Sequence, residues 1–250
     1  MIKKIAVISW LTALCFMLLS NVHAWDVPQY MRISMGSRLW FSLIEGDLIQ
    51  PDRTKLDVLR NLGLKQDQLV WEHSVAVRLA NIHVLRVTGL PRVTYNQSIN
   101  DSSIQIWSIL TGYDFDFFMS PQALIGANID LEVLNLDTCV KNVTVAGLNF
   151  TYEDTVTQVI PSIGLHGTFY PVLDGIALRP NLSSRINWWS YRGVSKWDVE
   201  FAAAVDLPVN RLWTWSISSG YRIRNDQFQR SGDIVDLTRQ GFFLETSILY

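Results

Sequence analysis

Apolar and polar residues alternate with a period of two in about ten separate stretches of this 250-residue chain, and that repeat leaves few folds open. Successive side chains of a strand point to opposite faces, so the alternation marks sheet with one apolar and one polar side. The sharpest instance is GFFLETSILY, Gly241 to Tyr250. There Phe242, Leu244, Thr246, Ile248 and Tyr250 share one face, and Glu245 and Ser247 lie on the other. Similar segments run near 31–43, 69–79, 83–89, 104–115, 123–133, 158–169, 176–188, 197–207 and 213–224. Each has roughly eight to thirteen residues, the length a tilted strand needs to cross a bilayer.

The start of the chain bears on location. Lys3 and Lys4 precede an apolar run from Ile5 to Leu19, and Val22-His23-Ala24 fits the small-residue rule for signal peptidase, so residues 1–24 are expected to be a cleaved signal peptide. The mature domain, 25–250, then carries 19 basic against 23 acidic side chains, which disfavours nucleic acid as a partner. Cys139 alone survives cleavage, leaving no intramolecular disulfide. With no Pro- or Gly-rich linker to divide it, the remainder reads as one all-β domain.

The connections alternate in length. Those at 44–68, 90–103, 134–157 and 225–240 read as long loops and the others as short turns, with the one near Trp189 to Lys196 unexpectedly short for its side. Short turns on one side and long loops on the other is the outer-membrane pattern.

Three features decide which face points in. One face of each segment is almost free of charge, as in Leu178, Pro180, Leu182, Ile186 and Trp188, and lipid requires that. The mature lysines Lys55, Lys65, Lys141 and Lys196 fall in connections or at strand edges, whereas the polar faces carry arginine. Arg32, Arg38, Arg78, Arg86, Arg179, Arg185, Arg222 and Arg224 are therefore expected inside, facing Glu72, Asp114, Asp130, Glu132, Asp198, Glu200 and Glu245. Such a near-neutral set suits an enclosed lumen, where an unpaired charge is costly and guanidinium forks satisfy carboxylates. Lipid-face aromatics gather at segment ends: Trp71, Trp188 and Trp197 toward one rim, and Phe115, Phe169, Trp213, Trp215 and Tyr250 toward the other.

Together these residues make Met31 to Tyr250 resemble a small Gram-negative outer-membrane β-barrel. The resemblance implies an antiparallel, up-and-down transmembrane barrel, monomeric and most simply ten-stranded. Eight or twelve strands would follow if the third segment or the alternating stretch Val143 to Tyr152 is misassigned. It also implies that Phe242, Leu244, Ile248 and Tyr250 form an assembly signal read by the barrel assembly machinery, and that the surroundings are outer-membrane lipid and lipopolysaccharide. No cofactor and no metal site is expected. The roles it leaves open are a structural or surface-interaction barrel, a narrow small-solute pore, and a barrel enzyme. Omptin-like proteases pair aspartates with an aspartate-histidine couple; Asp114-Phe115-Asp116 echoes the first, at the opposite end, and no Asp-x-His follows. Deacylases of lipid A set histidine and serine two apart, where this chain has His166-Gly167-Thr168, with Ser162 farther off. Asp226, Asp233 and Asp236 read as a solvated loop, and Thr54 to Leu64 as a short amphipathic helix able to cap the mouth.

Overall fold

The computed structural model describes residues 31–49, 55–58, 61, 64, 67–96, 102–145, 148–171, 178–210, 212–230 and 233–250. The expected signal peptide lies outside them. Eleven strands follow in order: β1 (Met31–Ile49), β2 (Lys55–Asp57), β3 (Asp67–Leu79), β4 (His83–Asn96), β5 (Ser103–Met119), β6 (Ala123–Val145), β7 (Leu148–Phe169), β8 (Arg179–Tyr191), β9 (Val194–Pro208), β10 (Thr214–Arg230) and β11 (Asp233–Leu249). Ten of them close a barrel, each antiparallel to its sequence neighbour, and β11 returns to β1 from Ser34↔Leu249 to Ile49↔Ile234. The two-way backbone bond between Ile33 and Tyr250, 2.8 Å each way, completes the seam at the rim that holds both ends of the described chain. We call this the terminal rim and the opposite one the distal rim. β2 is a short addition to the distal end of β1.

Each of the ten expected segments contains a strand, but the connections expected at 134–157 and 225–240 are largely strand as well. β6 and β7 stay paired from Ala123↔Phe169 to Val145↔Leu148, and β10 and β11 from Thr214↔Leu249 to Arg230↔Asp233. Val143 to Tyr152, with its expected strand-like alternation, belongs to the first of these hairpins. The helix expected at 54–64 is corrected in part: Lys55–Asp57 is strand, while Leu59 and Leu62 lie outside the described residues.

The strands run on past the expected ends because their polarity inverts partway along. On β6 the outward side chains are Ile125, Ile129, Leu131 and Val133, then Asn135 and Asp137; the inward ones are Asn128, Asp130 and Glu132, then Leu134, Leu136 and Val140. β7 switches between outward Val159 and Thr157, and β10 between outward Ile223 and Asn225. An apolar exterior therefore encircles the terminal part of the barrel, with Val87, Ile109, Leu165, Leu182, Phe201 and Leu244 among its exposed side chains. Water-soluble monomers rarely leave so much contiguous apolar surface uncovered. Beyond that belt the wall is polar outside and apolar inside, as in a soluble barrel.

The distal interior is correspondingly an apolar cluster. Trp40, Ile44, Leu48, Val70, Leu90, Tyr95, Ile104, Leu136, Val140, Ile160, Phe228 and Leu237 are buried together, and Leu56, Val58 and Leu64 from the β2 segment join them. That segment thus caps the distal interior through strand and turn rather than through a helix.

Candidate functional site: a layered charged lumen under an apolar plug

Beneath the plug, inward side chains form four contiguous layers of ion pairs. In the layer touching the plug, Lys196 Nζ donates to Glu132 Oε2 at 2.8 Å and Arg224 Nη2 to the same oxygen at 2.7 Å. Arg224 Nε also donates to Asp226 Oδ2 at 2.8 Å, and Arg239 Nη2 reaches that oxygen at 3.0 Å. Both Lys196 and Glu132 side chains are fully enclosed, at 0 % exposure.

In the second layer Arg222 forks onto Asp198 at 2.9 and 2.5 Å and donates to Glu72 at 3.0 Å. Arg38 forks onto Glu200 at 2.6 and 2.8 Å and bonds Glu245 at 2.8 and 2.6 Å. Five strands, β1, β3, β9, β10 and β11, are thereby tied across the lumen. In the third, Arg86 donates to Asp130 at 2.9 Å and Arg185 to Asp114 at 2.8 Å, while Asn187 Nδ2 reaches Asp130 at 3.2 Å and Asn128 Nδ2 reaches Asn187 at 2.6 Å. Nearest the terminal rim, Asp116 holds Arg78 on one oxygen and His166 Nε2, at 2.7 Å, on the other.

Glycines let these layers close. A Cβ at Gly112 would lie 2.4 Å from Asp130 Oδ1, and one at Gly126 would lie 2.5 Å from the His166 ring. Aromatic rings join belt to plug: the Arg222 and Arg239 guanidiniums lie 5.2 and 5.8 Å from the Trp40 ring centre, and that of Arg38 lies 4.1 Å from Phe243.

Most of the expected lumen residues meet here, but Arg32 and Arg179 do not. Both are exposed at the terminal end, and neither makes an ion pair among the described residues. Two expectations are corrected. Lys196 is buried inside β9 rather than in a connection, and Asp226 is a buried lumen carboxylate rather than part of a solvated loop. Asp116, Lys196, Asp226 and Arg239 were absent from the expected set. All four continue an inward alternation already begun by Asp114, Asp198, Arg224 and Glu245, so the signal was two-residue spacing carried past the assumed strand end.

The terminal side of the lumen is open. A cavity of about 430 Å³ runs from Arg38, Arg222 and Glu200 toward the rim at Thr214 and Leu249, walled by small hydroxylated side chains such as Ser34, Ser74, Ser183, Ser216 and Ser247. The plug stops it at the other end. As chemistry, His166 with Asp116 is a hydrogen-bonded couple, yet Ser162, whose buried hydroxyl has no partner, stands four residues along the same strand, roughly 13 Å at strand rise. That is too far for base and nucleophile to meet. Among the described residues no three His, Cys, Asp or Glu side chains gather in a way that could hold a metal ion.

No protein-family model and no curated sequence matches the chain. Solved structures do. The outer membrane protease OmpT from Escherichia coli is similar over 90 % of this chain and 97 % of its own, with 8 % identity and a TM-score of 0.50. The translocator domain of autotransporter NalP from Neisseria meningitidis matches over 96 % of each chain at 8 % identity and a TM-score of 0.41, and the outer membrane protein AlkL over 92 % and 96 % at 9 % and 0.40. At such identities the likeness concerns fold alone: a closed, antiparallel, ten-stranded barrel of the Gram-negative outer-membrane kind.

Proposed function

We propose that this protein is an integral outer-membrane barrel held closed by its own distal plug, a rigid transmembrane scaffold that presents a β-walled tier outside the cell. The apolar belt sits in the bilayer, the terminal rim faces the periplasm, and the plugged tier stands in the extracellular medium. Delivery by a signal peptide cleaved after Ala24, and assembly through the outward Phe242, Leu244, Ile248 and Tyr250, belong to this reading. So does contact with outer-membrane lipid, lipopolysaccharide and the assembly machinery.

The observation that carries the reading is the plug. Ten strands enclose a lumen that side chains can fill, and wide aqueous channels need about 16. In this barrel the charged layers fill the middle, and a continuous apolar cluster from Trp40 to Leu237 fills the distal end. A narrow gated pore is the second reading, favoured by the water-accessible cavity that penetrates the terminal half. An enzymatic role draws less support, because Ser162 stands too far along β7 to serve the His166–Asp116 couple, and that couple lies far from the distal rim, where omptin-like chemistry would sit.

Planar-bilayer conductance tests the proposal. The refolded protein should be electrically silent, and Trp40→Ala combined with Phe243→Ala should produce discrete openings by hollowing the junction between plug and belt. Steady steps from the unmodified protein, altered in ion selectivity when Glu200 is neutralised, would establish the pore instead.

A further inference from the structure

Above the apolar belt the barrel wall has a gap. The β7–β8 ladder ends at Ile163↔Trp188. Two residues on, Pro161 has no N–H to give a neighbour and stands where β7 becomes a sheet edge, the position proline tolerates. β8 and β9 turn back at Arg192 and Gly193, whereas β7 extends to Leu148 and β10 to Arg230. Between β7 and β10 this leaves a cleft of about 450 Å³, lined by Thr155, Val156, Thr157, Gln158, Phe228 and Gln229.

The height of the cleft identifies its neighbour. On β7 the last apolar outward residue is Val159 and the first polar one is Thr157, so that wall of the cleft begins where the belt stops, while Gln229 on β10 lies six residues beyond Ile223; the cleft opens at and above the level of lipid head groups. Its walls carry hydroxyls and side-chain amides, and its floor, Val156 and Phe228, is continuous with the plug. The β8–β9 tip forms its lower edge, with Gly193 directly under Gln229. The Trp189 and Tyr191 rings stand there 6.4 Å apart, and the Arg192 guanidinium lies 5.1 Å from the Tyr191 ring centre. Hydroxyls and amides beside the exposed Tyr191 ring, with Trp189 half-buried against the plug, match the mixed polar and C–H surface of a sugar.

The backbone adds an independent pointer. Arg192 and Gly193 form a two-residue turn with φ of 48° and 78°, a geometry that favours Asn-Gly and strains an arginine. Arginine rarely adopts this conformation, and here it holds the guanidinium at the tip over the Tyr191 ring.

We propose that the cleft binds the phosphorylated saccharide head group of an outer-leaflet glycolipid, Arg192 taking the phosphate while Tyr191, Gln229 and Gln158 hold the sugar. This rests on the membrane placement proposed above. The test is native mass spectrometry of the refolded protein, its fold checked by heat-modifiable gel mobility, with stepwise addition of rough lipopolysaccharide or of phosphatidylglycerol. The unmodified protein should retain lipopolysaccharide in preference to phosphatidylglycerol. Arg192→Ala with Tyr191→Ala, on an exposed tip, should weaken that retention by roughly tenfold or more, as the loss of a charge-assisted contact implies. Unchanged retention by the double variant, or equal retention of phosphatidylglycerol, overturns the site. A protein that fails to float with lipid vesicles refutes the membrane placement instead, so the two failures are distinguishable.

Discussion

Glu132 is the carboxylate whose removal should hurt most. Its Oε2 accepts from Lys196 and Arg224, and neither Glu132 nor Lys196 has any exposed side-chain surface. The layer holds Lys196, Arg224 and Arg239 against Glu132 and Asp226, a net charge of +1. Glu132→Gln preserves volume but raises that to +2 in an enclosed space. Breaking a buried pair from one side costs about 3–5 kcal/mol, whereas replacing both partners with apolar groups is often neutral. Adding Lys196→Met to Glu132→Gln restores +1 and removes the stranded ammonium. Urea titration in lipid vesicles, read by heat-modifiable gel mobility, should therefore show the single variant's midpoint lowered by at least about 1 M, taking slopes of roughly 1–3 kcal/mol per M. The double variant should recover most of the loss, giving a clear coupling energy in the cycle. A single variant within about 0.5 kcal/mol of the parent, or a double variant no better than the single, would refute the claim that this layer is dry and tightly paired.

Two other perturbations probe different parts of the same architecture. Gly126→Val places its Cβ within 2.5 Å of the His166 ring, so it should displace that ring from Asp116 and destabilise the barrel by about 1–3 kcal/mol in the same titration, while Ala127→Val on the lipid face changes little. Cys139 faces outward above the belt and should react with a membrane-impermeant maleimide on intact cells, whereas cysteine placed at Ile129 in a Cys139→Ser background should not; the reverse order would invert the membrane placement.

What the sequence made legible followed from period two alone. Strand number, the inward parity of Arg38, Glu72, Asp198 and Arg222, and the outward parity of Phe242 and Leu244 need only alternation and the avoidance of charge in lipid. What escaped depended on which solvent each face meets. Beyond Val133 and Ile223 the pattern still alternates, but its sign is reversed, and a reading tuned to apolar-out strands takes that reversal for a loop. Asp226 was lost in this way. Lys196 was lost for a related reason, because the β8–β9 turn is so short that a lysine four residues past Arg192 looks peripheral, although in the barrel it lies at the seam between plug and belt. Arg32 and Arg179 failed in the opposite sense: correct parity puts a side chain on the inner face, but at the terminal rim the inner face is already wet.

The reversal of polarity also accounts for why the lumen can hold so much charge. Buried ion pairs contribute little net stability, since desolvation offsets most of their attraction, so the four layers do not by themselves explain a stable barrel. The distal cluster can: burying a single Leu, Ile, Val or Phe contributes roughly 1.5–3 kcal/mol, and more than a dozen such side chains are sealed there. The charged layers then supply position rather than energy. Arg38 reaches Glu200 and Glu245 across the lumen, and Arg222 joins Glu72 to Asp198, so a slip of any strand by one residue would turn these groups toward lipid. Register is thus enforced by charge within the apolar belt, and stability is gathered beyond it by burial.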